Sequence, residues 1–169
     1  MNTALIVALI GFSASLAGVA ISQFLKERHR RSELLMVKSE ESIKLLLKLR
    51  AICQRQFEKI NDYILHEEGV ASAILDMSMQ VDSLNSELRM YTNIYFPSCD
   101  SSRNEMYRIF IDVQLEYSLQ LDKLDAESQG ERVAFQATAK VHHIKFNELI
   151  KCIANLENSL ISNSPRWNS

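Results

Sequence analysis

The first 25 residues constrain the fold most, because they include no charged side chain. The uncharged segment runs from Thr3 to Leu25, and eleven of these 23 residues are Leu, Ile, Val or Phe. As a helix, the segment would be about 34 Å long, enough to cross a hydrocarbon layer of about 30 Å. We therefore interpret residues 1–25 as a single transmembrane anchor.

A basic segment, residues 26–31, follows the anchor directly and reads KERHRR. Its cations are Lys26, Arg28, Arg30 and Arg31, whereas no charged side chain precedes the anchor. Lys and Arg accumulate on the cytoplasmic side of membrane helices. The sequence thus predicts a single-pass protein of the cell membrane, the inner membrane in a bacterium, with its N-terminus outside and its body in the cytoplasm.

A cleaved signal peptide is the alternative interpretation of the same segment. The small residues of SLAG, residues 15–18, have the spacing of a cleavage site. The positive charge that usually precedes such a peptide is missing, and apolar residues continue past the site. Cleavage would make the protein periplasmic or secreted.

One face of the anchor carries only small side chains at alternating spacings of four and three residues. Such spacing aligns residues along one side of a helix, and small side chains let membrane helices approach closely. We expect this face to pack against another membrane helix, from a second copy or from a partner protein. Its residues are Ala4, Ala8, Gly11, Ser15, Gly18 and Ser22.

The rest of the chain has the pattern of long amphipathic helices. Apolar residues recur at four- and three-residue spacings over most of its length, and the chain has only four Gly and two Pro. Breaks near residues 69, 97 and 130 separate helices over about 31–68, 70–96, 102–128 and 131–161. A Ser102–Glu105 capping box is predicted at the start of the third.

The predicted fold is therefore all-α: the anchor followed by an antiparallel up-down bundle of three to four long helices with coiled-coil-like packing. The bundle is assigned to residues 32–162 and a flexible tail to residues 163–169. Two other arrangements fit the same pattern. In the first, the first bundle helix is a stalk beside a three-helix bundle. In the second, the helices form an extended antiparallel coiled coil that a second chain completes.

Up-down topology predicts which ends of the bundle face the bilayer. The connection between the second and third helices and the C-terminus would both point back toward the anchor. Tyr95, Phe96 and Trp167 belong to these segments and are residue types found at headgroup depth. In the alternative interpretation, Tyr95 and Phe96 close the end of the core.

Charge is divided unevenly along the chain. Residues 26–59 carry a net charge of +5, residues 60–131 of −10 and residues 132–169 of +3. The first and fourth bundle helices are thus basic, and the second and third are acidic. We expect this division to guide contacts between the helices.

No sequence motif predicts catalysis, so we expect no enzymatic activity, no catalytic or metal-binding residue and no cofactor. The glycines are too far apart for a phosphate-binding loop, and no Glu-x-x-His, HExxH or GxSxG occurs. Cys53 and Cys152 lie on apolar faces, whereas Cys99 lies in a polar turn where we expect it to be exposed. The sequence has no basic surface interleaved with aromatic residues, so it does not predict nucleic-acid binding. No small-molecule substrate is indicated either.

These features predict a non-enzymatic scaffold, recruiter or regulator that acts through helix–helix contacts. Its expected partners are membrane lipid and either further copies of itself or another membrane or helical protein. The alternative is a membrane effector of the holin or toxin type, from a stress or anti-phage system. In that case, the small-residue face assembles several anchors and perturbs the bilayer.

Overall fold

The computed structural model describes residues 3–66, 71–126 and 132–165, and the side chains within residues 11–61, 75–119 and 143–165. The chain forms α1 (Thr3–His66), α2 (Ala71–Tyr95), a short 3-10 helix (Pro97–Cys99), α3 (Asp100–Ala126) and α4 (Arg132–Ser162). The described residues contain no strand. The prediction of an all-α helical bundle is confirmed.

Contacts between side chains define an up-down-up-down arrangement. Lys38 and Gln56 of α1 meet Tyr91 and Ser78 of α2, respectively, so sequence numbers rise along one helix as they fall along the other. Each further pair of adjacent helices is antiparallel in the same way. These pairs are Asp82–Tyr107 and Ser78–Gln114 between α2 and α3, Glu116–Lys145 between α3 and α4, and Phe57–Phe146 between α1 and α4.

The four helices therefore close around one core, to which α1 contributes as a full member. The apolar rows read from the sequence point inward, since four- and three-residue spacings keep one helix face toward its neighbours. Members of these rows with almost no exposed surface include Val81, Leu88, Met106, Val113, Tyr117, Leu149, Ile153, Leu156 and Leu160.

The connection between α2 and α3 differs in detail from the prediction. Pro97 ends α2 and begins the 3-10 helix, because proline lacks the N–H that would continue the helix. α3 then begins at Asp100, so the predicted capping box at Ser102 is wrong and Ser102 lies inside the helix. Asp100 instead accepts hydrogen bonds from the side chains of Arg103 and Asn104.

α1 is much longer than the bundle. Leu35 is its first described residue that packs against the core, and every side chain from Gly11 to Arg31 is exposed. Residues 3–34, here called the arm, project about 48 Å beyond the bundle at 1.5 Å per residue. The helix has no break at residue 25 or residue 31, so the domain boundaries assigned there remain sequence predictions.

Candidate interaction surfaces

The arm presents large apolar side chains to its surroundings on every side except the small-residue face. Phe12, Leu16, Val19, Ile21, Phe24 and Leu25 are each more than half exposed. The small-residue face is equally open, because a Cβ placed on Gly11 or Gly18 would have no atom within 4 Å. The Ser15 hydroxyl donates to the Gly11 carbonyl oxygen (2.9 Å), and the exposed Ser22 lies on the same face.

Within the part of the chain that the structure describes, no helix combines the length and hydropathy needed to cross a membrane. The side chains of residues 1–10 lie outside the described side chains. They include Ala4 and Ala8 of the predicted packing face and five of the eleven large apolar residues of the uncharged segment.

The basic segment, residues 26–31, forms a fully exposed turn and a half of α1. Lys26, Arg28, Arg30 and Arg31 all lie in solvent. His29 contacts Glu33 one turn later, with 3.2 Å between Nε2 and the carboxylate oxygen, and both side chains are largely exposed. The segment is therefore a ring of positive charge between the uncharged part of the arm and the bundle.

The end of the bundle nearest the arm is closed by buried residues. Phe96 is 2% exposed and Tyr95 packs against the core, which matches the interpretation that these two aromatics close the core. Trp167, the third predicted interfacial aromatic, lies outside the described residues. The expected exposure of Cys99 is wrong, because the 3-10 turn folds its thiol inward and the Asn163 amide donates to its sulfur at 3.7 Å.

The same end buries a cation that sequence analysis did not single out. Arg103 is only 4% exposed and donates through Nε and Nη2 to one oxygen of Asp100, at 3.2 and 3.0 Å. It also donates to the side-chain oxygen of Asn104. The cation is partly neutralised by the carboxylate, as buried charges require.

In the half of the bundle away from the arm, a polar layer joins three helices. Gln56 of α1 and Gln114 of α3 each donate to the other's amide oxygen at 2.8 Å. Ser78 of α2 donates to Gln114 at 2.6 Å and accepts from Gln56 at 2.9 Å. Gln56 is 1% exposed, so its hydrogen-bonding groups are separated from water. We call these three residues the polar layer; no signal along the sequence predicts them.

Nearer the arm, a charged cluster links α1 to α2. The Lys38 ammonium lies 2.6 Å from a Glu41 oxygen and 5.2 Å from the centre of the Tyr91 ring. Hydrogen bonds from Lys38 and Tyr91 lower the pKa of Glu41. The same carboxylate raises the pKa of Lys38 and, by accepting from the hydroxyl, that of Tyr91.

The predicted charge division is expressed only weakly in contacts. Among the described residues, Lys145–Glu116 (3.0 Å) is the ion pair that joins two helices, and it connects basic α4 to acidic α3. The other ion pairs lie within single helices, at spacings of three or four residues.

A second apolar row follows the outer face of α2, opposite the core. Leu75, Met79, Met90 and Ile94 are 49–64% exposed and stand at spacings of 4, 11 and 4 residues, which keep them on one side of a helix. The exposed Ser83 and Ser86 occupy the middle of this side, here called the α2 outer face. Sequence analysis missed this face because the core row of α2 already explains why the segment is helical. The available signal was the second set of apolar residues, whose spacing is offset from that of the core row.

A groove of about 440 Å³ lies beside the α2 outer face, between α1 and α2. Two exposed cations, Lys48 and Arg55, stand on its α1 side, and Ile52 and Leu84 are among its apolar lining residues. Gln80 and Ser83 line it from α2. The groove is thus a positively charged, partly apolar channel.

The described residues hold no cluster of His, Cys, Asp and Glu able to bind a metal ion. All three cysteines are buried, and burial raises the pKa of each thiol, that of Cys53 to about 12. His143 is exposed and lies 5.7 Å from the Phe57 ring; the side chains of His66 and His142 are outside the described side chains.

Comparison with known proteins adds no further assignment: no family model, curated protein or solved structure matches this chain.

Proposed function

We propose that this protein is a single-pass membrane protein whose helical body acts without catalysis, as a scaffold or recruiter that binds other helical proteins. The single observation that carries the proposal is the arm. One unbroken helix leaves a well-packed bundle, its side chains from Gly11 to Leu25 are exposed, uncharged and largely apolar, and a ring of cations follows at once.

The arm makes physical sense only with a partner for its apolar surface. Contiguous apolar surface of this extent is not stable in water, and a bilayer removes it from water along its whole length. Lys26 and the arginines that follow it would then lie at the cytoplasmic headgroups, where anionic lipid attracts them. The bundle would be held in the cytoplasm, about one and a half turns of α1 or more from the membrane surface.

Membrane fractionation with charged variants of the arm tests this proposal. The full chain should remain with membranes after an alkaline carbonate wash, and protease added outside intact cells should spare the bundle. Leu16→Asp combined with Val19→Asp should release the chain, because each charge costs about 2.5–3.5 kcal/mol at the centre of a membrane helix.

Ile144→Asp is the matched control, since Ile144 is 66% exposed on α4 and lies in the bundle. This variant should fractionate as the unaltered chain does. Wild-type chain that washes off with carbonate, or a bundle digested from outside, would refute the anchor.

A membrane effector is the second candidate function, favoured by the open space around Gly11 and Gly18. In that case, overexpressed chain should depolarise the membrane. Gly11→Leu and Gly18→Leu should abolish depolarisation by blocking close helix approach. Depolarisation that depends on both glycines would favour the effector over the scaffold. An unchanged membrane potential in these cells would support the scaffold.

A further inference from the structure

We propose that the α2 outer face docks a second copy of this chain, in a parallel pair related by a two-fold axis along the bundle. The inference goes beyond the proposed function by naming a surface of the bundle and its partner.

The apolar residues of the α2 outer face suit contact with their own counterparts. A two-fold axis parallel to α2 brings Leu75, Met79, Met90 and Ile94 each against the same residue of the second copy, which is the property of an isologous interface. Ser83 and Ser86 lie between the two pairs and allow the helices to approach closely at the centre. Large apolar side chains that are 49–64% exposed along one helix face are typical of such contacts.

Charges beside the apolar row match under the same symmetry. Asp82 lies on the α3 side of α2, since it accepts a hydrogen bond from Tyr107 of α3 at 3.1 Å. The groove with Lys48 and Arg55 lies on the α1 side, at the height of Gln80 and Leu84. The two-fold axis places the α3 side of one copy against the α1 side of the other, so Asp82 faces Lys48 and Arg55 of the second copy.

A further charge pair follows one to two turns along α2. Glu87 lies on the α1 side, one turn before Tyr91, whose ring lies under Lys38 of α1. Arg89 is seven residues after Asp82 and therefore on the α3 side. The symmetry brings Glu87 of each copy to Arg89 of the other, and none of these charges has an ion-pair partner among the described residues.

The direction of the pair rests on the proposed function. Asp82 would also meet Arg89 in an antiparallel pair, but only a parallel pair sends both arms from the same end into one bilayer. The apolar contact is small beside the roughly 800 Å² per partner of a stable interface. Confinement to a membrane raises the effective concentration and offsets this deficit.

Single-cysteine cross-linking in native membranes tests the proposal. The three natural cysteines are buried, so an added surface cysteine is the reactive one. Full-length Met79→Cys and, separately, Met90→Cys should form disulfide-linked dimers under a mild oxidant, because each lies near the axis facing its counterpart. Ile144→Cys, equally exposed but on α4, is the control and should stay at least tenfold less cross-linked.

Three results would overturn the proposal. These are cross-linking of Ile144→Cys as strong as that of Met79→Cys, no dimer from either α2 variant, and dimers only when Met79→Cys and Met90→Cys chains are mixed. The last result would show an antiparallel pair.

Fractionation of the same samples distinguishes failure of this docking proposal from failure of the proposed membrane anchor. Dimers of Met79→Cys in chain that washes off membranes would support docking through α2 and reject the anchor. Membrane-bound chain without dimers would reject docking and support the anchor.

Discussion

Gln56 lies in the core of the bundle, where its amide forms hydrogen bonds to two other helices. An apolar core tolerates such a residue only when its donors and acceptors are satisfied, and the polar layer satisfies them through Ser78 and Gln114. The layer can form in only one register of α1, α2 and α3. A polar residue at a core position thus trades some stability for a unique alignment of helices.

Replacement of Gln56 should test that role. Gln56→Leu removes the acceptor of the Gln114 side-chain amide N–H and leaves the Gln114 oxygen with Ser78 alone, so the free energy of unfolding should fall by about 1–3 kcal/mol. Adding Gln114→Leu removes the stranded group and should recover part of the loss. Denaturant unfolding of the full chain in detergent, followed by circular dichroism, measures both; strictly additive losses would contradict the coupling.

The buried thiols should make the free energy of unfolding of the bundle decrease at alkaline pH. Burial raises the pKa of Cys53 from 9.0 to about 12, so the unfolded chain loses this proton first as pH rises. The stabilising effect is complete below pH 9 and is lost between pH 9 and about 12. Tyr117 acts in the same direction, because burial raises its pKa as well.

The free energy of unfolding should therefore fall between pH 9 and pH 11, and fall less steeply in Cys53→Ala. Urea unfolding at several pH values measures the slope. The exposed Ser86→Ala variant serves as a control and should keep the slope of the unaltered chain. An identical slope in Cys53→Ala would show that the thiol does not contribute.

At the scale of helices, α4 is joined to α1 by stacked aromatic rings. The Phe57 and Phe146 rings lie 4.1 Å apart at an angle of 11°, and Phe146 is buried. This contact joins the first and last helices of the bundle and thereby completes the four-helix arrangement. It fixes α4 against the helix that continues into the arm.

Phe146→Ala should cost about 3–5 kcal/mol of stability, since it removes a large buried side chain and leaves a cavity. Ile144→Ala, two residues away but 66% exposed, should cost less than about 0.5 kcal/mol. Thermal unfolding of both variants provides the measurement. Equal losses would mean that α4 does not pack as described.

At the scale of the whole molecule, charges with no ion-pair partner among the described residues flank the α2 outer face and suit a second copy. Asp82→Lys should lower cross-linking of the Met79→Cys chain about tenfold, because the contact with Lys48 and Arg55 occurs twice in a two-fold pair and each exposed pair contributes up to about 1 kcal/mol.

Combining Asp82→Lys with Lys48→Glu and Arg55→Glu in the same chain should restore cross-linking by reversing both partners. Raised salt should weaken the unaltered pair. If the triple variant cross-links no better than Asp82→Lys alone, these charges do not meet across the interface.

Much of the fold could be predicted from periodicity. Val81, Leu88 and Tyr91 of α2 and Phe146, Leu149 and Leu156 of α4 belong to the apolar spacing of four and three residues that predicts the helices, and all are buried. Which residues share a helix face depends only on their spacing in the sequence, so the sequence pattern alone predicts these faces. The polar layer and buried Cys99 could not be predicted in this way, because their partners come from distant parts of the chain.

The sequence by itself determined the helices, the inward faces of the core and the uncharged segment with its basic flank, because each is a local property of composition and spacing. Only the tertiary structure decided which surfaces remain open. The α2 outer face became a candidate docking surface because α1 and α3 pack against its flanks and leave that side uncovered. The arm became separate from the bundle because Leu35 is the first described residue that packs against the core, while α1 extends well beyond it.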